Sequence, residues 1–324
     1  MVSRIAGWLL MIALPLVAAA QSYPLSYPSK PIRIVLGYST GGTSDNLGRM
    51  MTDKLTAALG QSVLIDNRPG ASGNIAAQIV AKSAPDGYTL LYGNTGEMGI
   101  NPHLMKDMGF DPLADFVPIV LIHNVPLGFI VSSQSPYTSF ENFLEAARRE
   151  PGKLSFASSG NGTPAHLALE MLMSKTGTKF IHVPYKGAAP ALLDLIGGRL
   201  DAYFLGLPGV TPQVKGGKVR LLAVTTLERA GSAADTPTVA ELGIPGYNFS
   251  LWGGFFAPAG TPGEIVTRIN REVLQVLGQP SVKAQMGEQG SDVVRTTPQE
   301  FGRFVQSELK KYGEIVRTSG LKLQ

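Results

Sequence analysis

Lys153-Leu154-Ser155-Phe156-Ala157-Ser158-Ser159-Gly160-Asn161-Gly162-Thr163-Pro164-Ala165-His166-Leu167-Ala168-Leu169-Glu170 reads as a short strand, a small polar loop and the start of a helix. Pro164 suits the first helical position, where its missing N–H would be unpaired anyway, and Thr163 suits the N-cap. The loop is therefore expected to offer free backbone N–H groups at the positive end of a helix, an anion site. A second unit of this kind lies upstream. There Ile32-Arg33-Ile34-Val35-Leu36 runs into Gly37-Tyr38-Ser39-Thr40-Gly41-Gly42-Thr43-Ser44-Asp45 and a helix over residues 45–59. Two such ends in one chain predict a ligand carrying carboxylates, held between two lobes.

Strands alternate with helices on either side of these loops. Val63-Leu64-Ile65-Asp66 and Tyr88-Thr89-Leu90-Leu91-Tyr92-Gly93 read as strands, separated by a Pro69-Gly70-Ala71-Ser72-Gly73 break and a helix carrying Ile75, Ile79 and Val80. A second series follows: helix 139–149, strand 153–157, helix 164–176, strand 180–183, helix 188–197, and strands 201–205 and 219–225. Between the two series lie the apolar runs 116–122 and 127–131, with no full helix between them, so one of them is expected to pass into another lobe. Trp252-Gly253-Gly254-Phe255-Phe256-Ala257-Pro258 reads as the strand that returns, ahead of helices over 263–278, 280–287 and 298–318. The expectation is an α/β fold of two lobes with a two-strand hinge and a cleft between them. Lobe 1 would take residues 28–125 plus 248–324, and lobe 2 residues 126–247. Ligands of open α/β sheets bind beyond the carboxyl ends of the strands, where both glycine loops sit.

The chain has 324 residues, enough for two domains, and its 44% hydrophobic and 16% charged content describes a globular protein. Its net charge of +4 is spread along the sequence without a run of four or more Lys/Arg, which argues against nucleic acid. Arg4, the apolar stretch Leu9–Leu14 and Ala18-Ala19-Ala20 make a signal peptide over 1–20, cleaved near Ala20, and place the mature chain in the periplasm. A retained N-terminal anchor is the other reading. There is no cysteine, which removes disulfides, thiolate chemistry and thiol metal sites. His103, His123, His166 and His182 have no metal-ligand spacing, and neither a metal nor a cofactor is expected.

The chain resembles the Bug solute-binding proteins, receptors of tripartite tricarboxylate transporters. The resemblance rests on Gly41-Gly42 with Asp45, Asn67-Arg68-Pro69-Gly70-Ala71, Pro85-Asp86-Gly87-Tyr88-Thr89-Leu90, His182-Val183-Pro184-Tyr185-Lys186-Gly187, Asp194-Leu195-Ile196-Gly197-Gly198 with Asp201, and Ala257-Pro258-Ala259-Gly260-Thr261-Pro262. It implies a two-lobe periplasmic-binding fold, type II-like, that closes over a small organic acid, often a di- or tricarboxylate or an acidic amino acid; an aromatic acid is a further candidate, and a monomer is expected. The closed form would dock on an integral-membrane tripartite permease or a sensor ectodomain. Ligand contact would fall on Tyr38, Ser39, Thr40, Gly41, Gly42 and Thr43, on Ser158, Ser159, Gly160, Asn161, Gly162 and Thr163, and on Tyr185 and Lys186. The family commonly carries Pro-Phe-x-Ala before its Gly-Gly pair, whereas this chain has Gly37-Tyr38-Ser39-Thr40, so no particular substrate carries over.

Several residues admit two roles. Asp45 favours the helix dipole as a cap, and would meet a ligand only through an ammonium group. His166 either touches ligand or packs within its helix. Asn94 and Asp201 complete the candidate contacts, and Trp252 reads as hinge core rather than a ligand platform. Gly160-Asn161-Gly162-Thr163-Pro164-Ala165 fits a dinucleotide fingerprint, but Pro184-Tyr185-Lys186 stands where the ribose-binding acid is needed. An exported serine-dependent hydrolase or isomerase using Ser158 or Ser159 with His166 is the rival; it lacks a G-x-S-x-G elbow and a residue to orient the base. The expectation is a binding protein, not an enzyme.

Overall fold

In the computed structural model, which describes residues 27–41, 43–288 and 290–321, β1 (Ile32–Leu36) is a mostly apolar run because helices cover both faces of its sheet. It pairs in parallel with β2 (Val63–Asn67) and β3 (Thr89–Asn94), and α1 (Thr43–Leu59) and α2 (Asn74–Ala81) form the crossovers. A π-helical turn, Gly96–Ile100, and α3 (Asn101–Leu104) lead to β4 (Phe116–Ser132). The second half of the fold is built by α4 (Phe140–Arg149), β5 (Ser155–Ser158), α5 (Pro164–Thr176), β6 (Ile181–Pro184), α6 (Ala188–Ile196), β7 (Ala202–Gly206), α7 (Leu207–Lys215) and β8 (Val219–Val224). The chain then returns through β9 (Ser250–Pro258) and ends with α8 (Gly263–Leu277), α9 (Pro280–Glu288), β10 (Asp292–Val293) and α10 (Pro298–Ser319). The strand order β2-β1-β3-β9-β4-β7-β5-β6 forms one curled sheet shared by two lobes. The signal peptide expected over 1–20, Gly42 and the side chain of Thr43 lie outside the described residues.

The two apolar runs at 116–122 and 127–131 prove to be one 17-residue strand, about 56 Å long at the usual rise of ~3.3 Å per residue. From Phe116 to Pro126 β4 pairs antiparallel with β9, and from Leu127 onward with β7 and β8. Pro126 resembles a strand breaker, but its missing N–H falls where the partner changes. Thr225 closes the ladder there: its Oγ1 accepts from Leu127 N (2.9 Å) and its N–H donates to Leu127 O (3.0 Å). Gly254 faces the Val120 carbonyl, and Gly253 the His123 ring, so closely that no side chain fits at either position of the returning strand.

Each lobe has its own core. In the second lobe the Phe129 ring meets Phe140, Phe143, Phe156 and Phe204 edge-on at 5.0–5.5 Å. The C-terminal helix, expected within lobe 1, contributes to both cores: Phe301 and Val305 pack in the first lobe, and Tyr312, Ile315 and Val316 in the second. A capping box, Thr297 with Glu300, starts it. Helix α7, the π-helical turn, α3 and β10 have no counterpart in the sequence reading; Pro208, Pro212 and Pro102 mask the two helices. Phe129→Ala should lower the unfolding free energy by about 3–5 kcal/mol, read from urea denaturation, because it empties the centre of a five-ring cluster.

Candidate functional site

The carboxyl ends of β1 and β3 and the loop after β5 face one another across β4 and β9, and a cavity of about 300 Å³ lies between them. Lobe 1 contributes Tyr38, Ser44, Ser72, Asn94, Thr95, Gly96 and Asn101; lobe 2 contributes Asn161, Gly162, Thr163 and Pro164. His123 and Val125 of β4 and Leu251 and Trp252 of β9 form the hinge wall. No Lys, Arg, Asp or Glu borders the cavity among the described residues.

Asp45 shapes the first loop. Its buried carboxylate accepts from Gly41 N (3.0 Å), Asn67 Nδ2 (2.9 Å) and Arg49 Nε (3.0 Å), and Asn67 also donates to the Tyr38 carbonyl. Burial alone would raise this carboxyl; the hydrogen bonds from Arg49, Gly41 and Asn67 outweigh it and hold the group below its ordinary value. His166 plays the same part in the second loop. Its Nδ1 accepts from Gly162 N (3.1 Å), which puts the ring proton on Nε2, 3.3 Å from Glu170. The ring stacks on His182 at 3.7 Å, and His182 Nε2 meets Ser158 Oγ at 2.7 Å. Burial, then the neighbouring His166, pushes His182 down to about 4.

These bonds correct the expected anion sites. The N–H groups of Gly41, Gly160, Gly162 and Thr163 are all taken within the chain, by Asp45, Ser158, His166 and the Gly160 carbonyl respectively. Thr163 does not cap α5; its hydroxyl turns to Gly160 O at 2.7 Å. Among the described residues, the amides of Ser39, Thr40, Asn161, Ala165 and His166 are left without a partner.

Of the candidate contacts, Tyr38, Asn94, Asn161, Gly162 and Thr163 border the cavity. Ser39, Thr40 and Gly41 sit exposed on their loop outside its lining, and Ser158, Ser159 and Gly160 lie behind the second wall. Tyr185 and Lys186 do not reach it: the Tyr185 hydroxyl donates to Asp194 (2.7 Å), itself paired with Arg199. Asp201 receives Ser155 N and Oγ at the opposite end of the sheet. Asp45 and His166 act through the loops they hold. Trp252 is core, as expected, yet it also borders the cavity and donates from Nε1 to Glu308 (3.1 Å). Ser44, Ser72, Thr95, Gly96, Asn101, His123, Val125 and Leu251 join the lining without a sequence signal that marks them as contacts. Ser72 sits on a strained turn, where Ala71 and Ser72 both have left-handed φ (45° and 54°), held by a bond from Asn101 Nδ2 to Ser72 O.

Behind the lobe 1 wall lies Glu97, fully buried in the π-helical turn. Tyr38 Oη donates to Oε2 (2.8 Å) and Asn94 N to Oε1 (2.8 Å). Burial pushes its carboxyl up to about 7, against the pull of those hydrogen bonds. His123 is likewise buried, and pushed down to about 3; its Nδ1 meets Tyr92 Oη at 2.9 Å.

A cleft between two lobes joined by crossing strands, with a neutral lining from both lobes, defines a solute-binding protein. The profile of the tripartite tricarboxylate transporter family receptor matches residues 47–321, and the chain belongs to that family. Protein BugT of Bordetella pertussis is 32% identical over 320 residues, covering 98% of each chain. Rpa4515 of R. palustris, solved with adipate, is 38% identical with a TM-score of 0.80, covering 92% of this chain and 100% of that one. MatC (Rpa3494) from Rhodopseudomonas palustris, solved with malate, is 30% identical with a TM-score of 0.75, covering 90% and 100%. The chain is a receptor of the periplasmic-binding type and not an enzyme. The serine-hydrolase alternative has no support in the geometry: Ser158 is buried and bonded to His182, Ser159 meets Tyr203, and His166 Nδ1 is taken by Gly162 N.

Glu97 sets a pH signature. Its folded value lies above the unfolded 4.5, so the folded chain holds more protons between 4.5 and about 7. Glu97 therefore withdraws stability as pH rises through that window. The difference in thermal unfolding between wild type and Glu97→Gln should grow from about pH 4.5 to about pH 7 and level off above it.

Proposed function

We propose that the chain is an exported receptor that captures a small aliphatic dicarboxylate by closure of its lobes and presents it to a tripartite membrane transporter. The observation that carries this reading is the cavity lining. Neutral polar groups stand at both lobe walls, the hydroxyls of Ser44, Thr95 and Thr163 bonded within the chain and the Asn161 amide left to meet a ligand, and Val125, Leu251 and Trp252 form an apolar wall between them. A carboxylate at each end with methylenes against the hinge fits that sequence of surfaces. Rpa4515 with adipate and MatC with malate, 38% and 30% identical to this chain, support the class. An acidic amino acid fits less well: Asp45, which could have met an ammonium group, is enclosed by Gly41, Arg49 and Asn67. Among the described residues, the lining also offers no cationic clamp for the third carboxylate of a tricarboxylate.

Neutral donors have a physical advantage in a site that opens and closes. A buried Lys or Arg would be left uncompensated in the empty closed form, whereas amides and hydroxyls carry a smaller penalty. Hydrogen bonds to a charged acceptor each contribute about 1.5–3 kcal/mol, and closure removes competing water. Ligand shifts the lobes only by the additional contacts of the closed state.

A thermal-shift series from succinate to suberate, with aspartate, citrate and benzoate alongside, tests the reading. A diacid should raise the melting temperature most, since a ligand at about 100 times its Kd adds roughly 2.7 kcal/mol to the native state. A series in which aspartate or benzoate dominates, or in which no acid shifts the transition, would refute it.

A further inference from the structure

We propose that Glu97 and Tyr38 form a proton-gated donor in the cavity wall: once Glu97 takes up a proton, the Tyr38 hydroxyl is released to hydrogen-bond a ligand carboxylate. This inference rests on the dicarboxylate reading above. Its foundation is a shared phenol. Tyr38 borders the cavity, and its one hydroxyl proton is spent on Glu97 Oε2 at 2.8 Å. Gly96 also borders the cavity, and a Cβ there would stand 2.7 Å from that hydroxyl, so only glycine leaves room for the phenol at this wall.

Among the described residues, no cation pairs with Glu97 to balance its charge. Across its oxygens lies the Gly73 backbone, where a Cβ would come within 2.6 Å of Oε2. From β3 the Asn94 amide binds Oε1, and behind it Tyr92 is occupied with His123. The π-helical turn itself packs on α10, where Tyr312 and Lys311 both bond to Glu308, and Trp252 of β9 donates to the same carboxylate. On α3, His103 lies against Gly313. No Lys or Arg hydrogen-bonds Glu97 among the described residues. Burial accordingly leaves this carboxyl poised near neutrality, at about 7.

The proton count is simple. With Glu97 ionised, Tyr38 donates inward and shows the cavity only oxygen lone pairs, and a carboxylate placed there meets a like charge behind them. A proton from solvent on Oε2 lets Glu97 donate to the phenol oxygen. The Tyr38 O–H then rotates to the ligand, while Asn94 N–H stays on Oε1. At most one proton is taken up per ligand, and no bond is broken elsewhere. The complex therefore binds more protons than the free receptor, so affinity weakens as pH rises above the carboxyl's own value and is flat below it.

Calorimetric titration of the whole chain with adipate tests this. The wild-type Kd should be flat near about pH 6 and weaken by up to ~10-fold per unit above neutrality, with proton uptake detected in buffers of different ionisation heat. A glutamine amide mimics the protonated acid, so Glu97→Gln should bind at about pH 8 as wild type does at about pH 6, without uptake. Tyr38→Phe, which keeps the acid but has no hydroxyl to release, should bind more weakly than wild type at about pH 6. Wild type and Glu97→Gln sharing one pH profile would overturn the gate. Infrared difference spectra of the ligand-free chain decide it separately, through a protonated-carboxyl band present below neutrality in wild type and missing in Glu97→Gln. A Glu97 ionised throughout that range overturns the gate even if adipate binds. Failure of every diacid to bind at any pH would instead refute the receptor reading.

Discussion

The antiparallel pairing of β4 with β9 is the constraint on which the molecule depends. Two strands run side by side from Phe116 to Pro126 and from Ser250 to Pro258, and both lobes hang from them. A single connection would leave the lobes free to twist. Two adjacent strands bonded to each other restrict motion to a bend across the pair, and α10, packed into both cores, limits it further. The pair also sets what a ligand meets at the back of the cleft, because His123, Val125, Leu251 and Trp252 belong to it. Ligand identity and lobe motion are thus read by the same few residues.

The two lobes solve the loop problem in the same way. In each, a glycine with left-handed φ, Gly41 at 85° and Gly162 at 71°, donates its N–H to a side chain four positions on, at the first turn of the following helix. In the first lobe the acceptor is Asp45; in the second it is His166. A loop held this way presents its remaining amides in one arrangement, so little conformational entropy is lost on binding. The acceptors differ in charge, and their surroundings match. Asp45 has Arg49 beside it, whereas His166 has Glu170 and a stacked His182.

Much of the fold is legible in the sequence because it is local. The strand–loop–helix units at 32–59 and 153–176 declare themselves through apolar runs, glycines, and Pro164 in the first helical turn. The number of strands in the hinge is legible as well, although β4 reads as two runs because Pro126 lies between them. The free amides are not legible. Whether Gly162 N–H faces solvent or a histidine depends on a side-chain rotamer, and a polar residue at the fourth position after a loop glycine is the one available signal. The hinge wall is hidden for another reason: Trp252 and Val125 satisfy every criterion of core residues, and a buried residue can border a cavity as well. Tyr185 and Lys186 enter only through family resemblance, and in this chain Asp194 engages the tyrosine.

Glu97 exposes the limit of reading a site by its surface chemistry. A cleft without a charged lining looks electrostatically passive, yet a carboxyl one side chain behind the wall can dominate the field inside it. Water screens little there, and the Tyr38 phenol and Asn94 amide stand between the carboxyl and the cavity. Had the carboxyl been paired with Lys or Arg it would be fixed and silent. Unpaired, buried and hydrogen-bonded through neutral groups, it changes charge near neutral pH, and the neutral lining transmits that change because nothing in it competes.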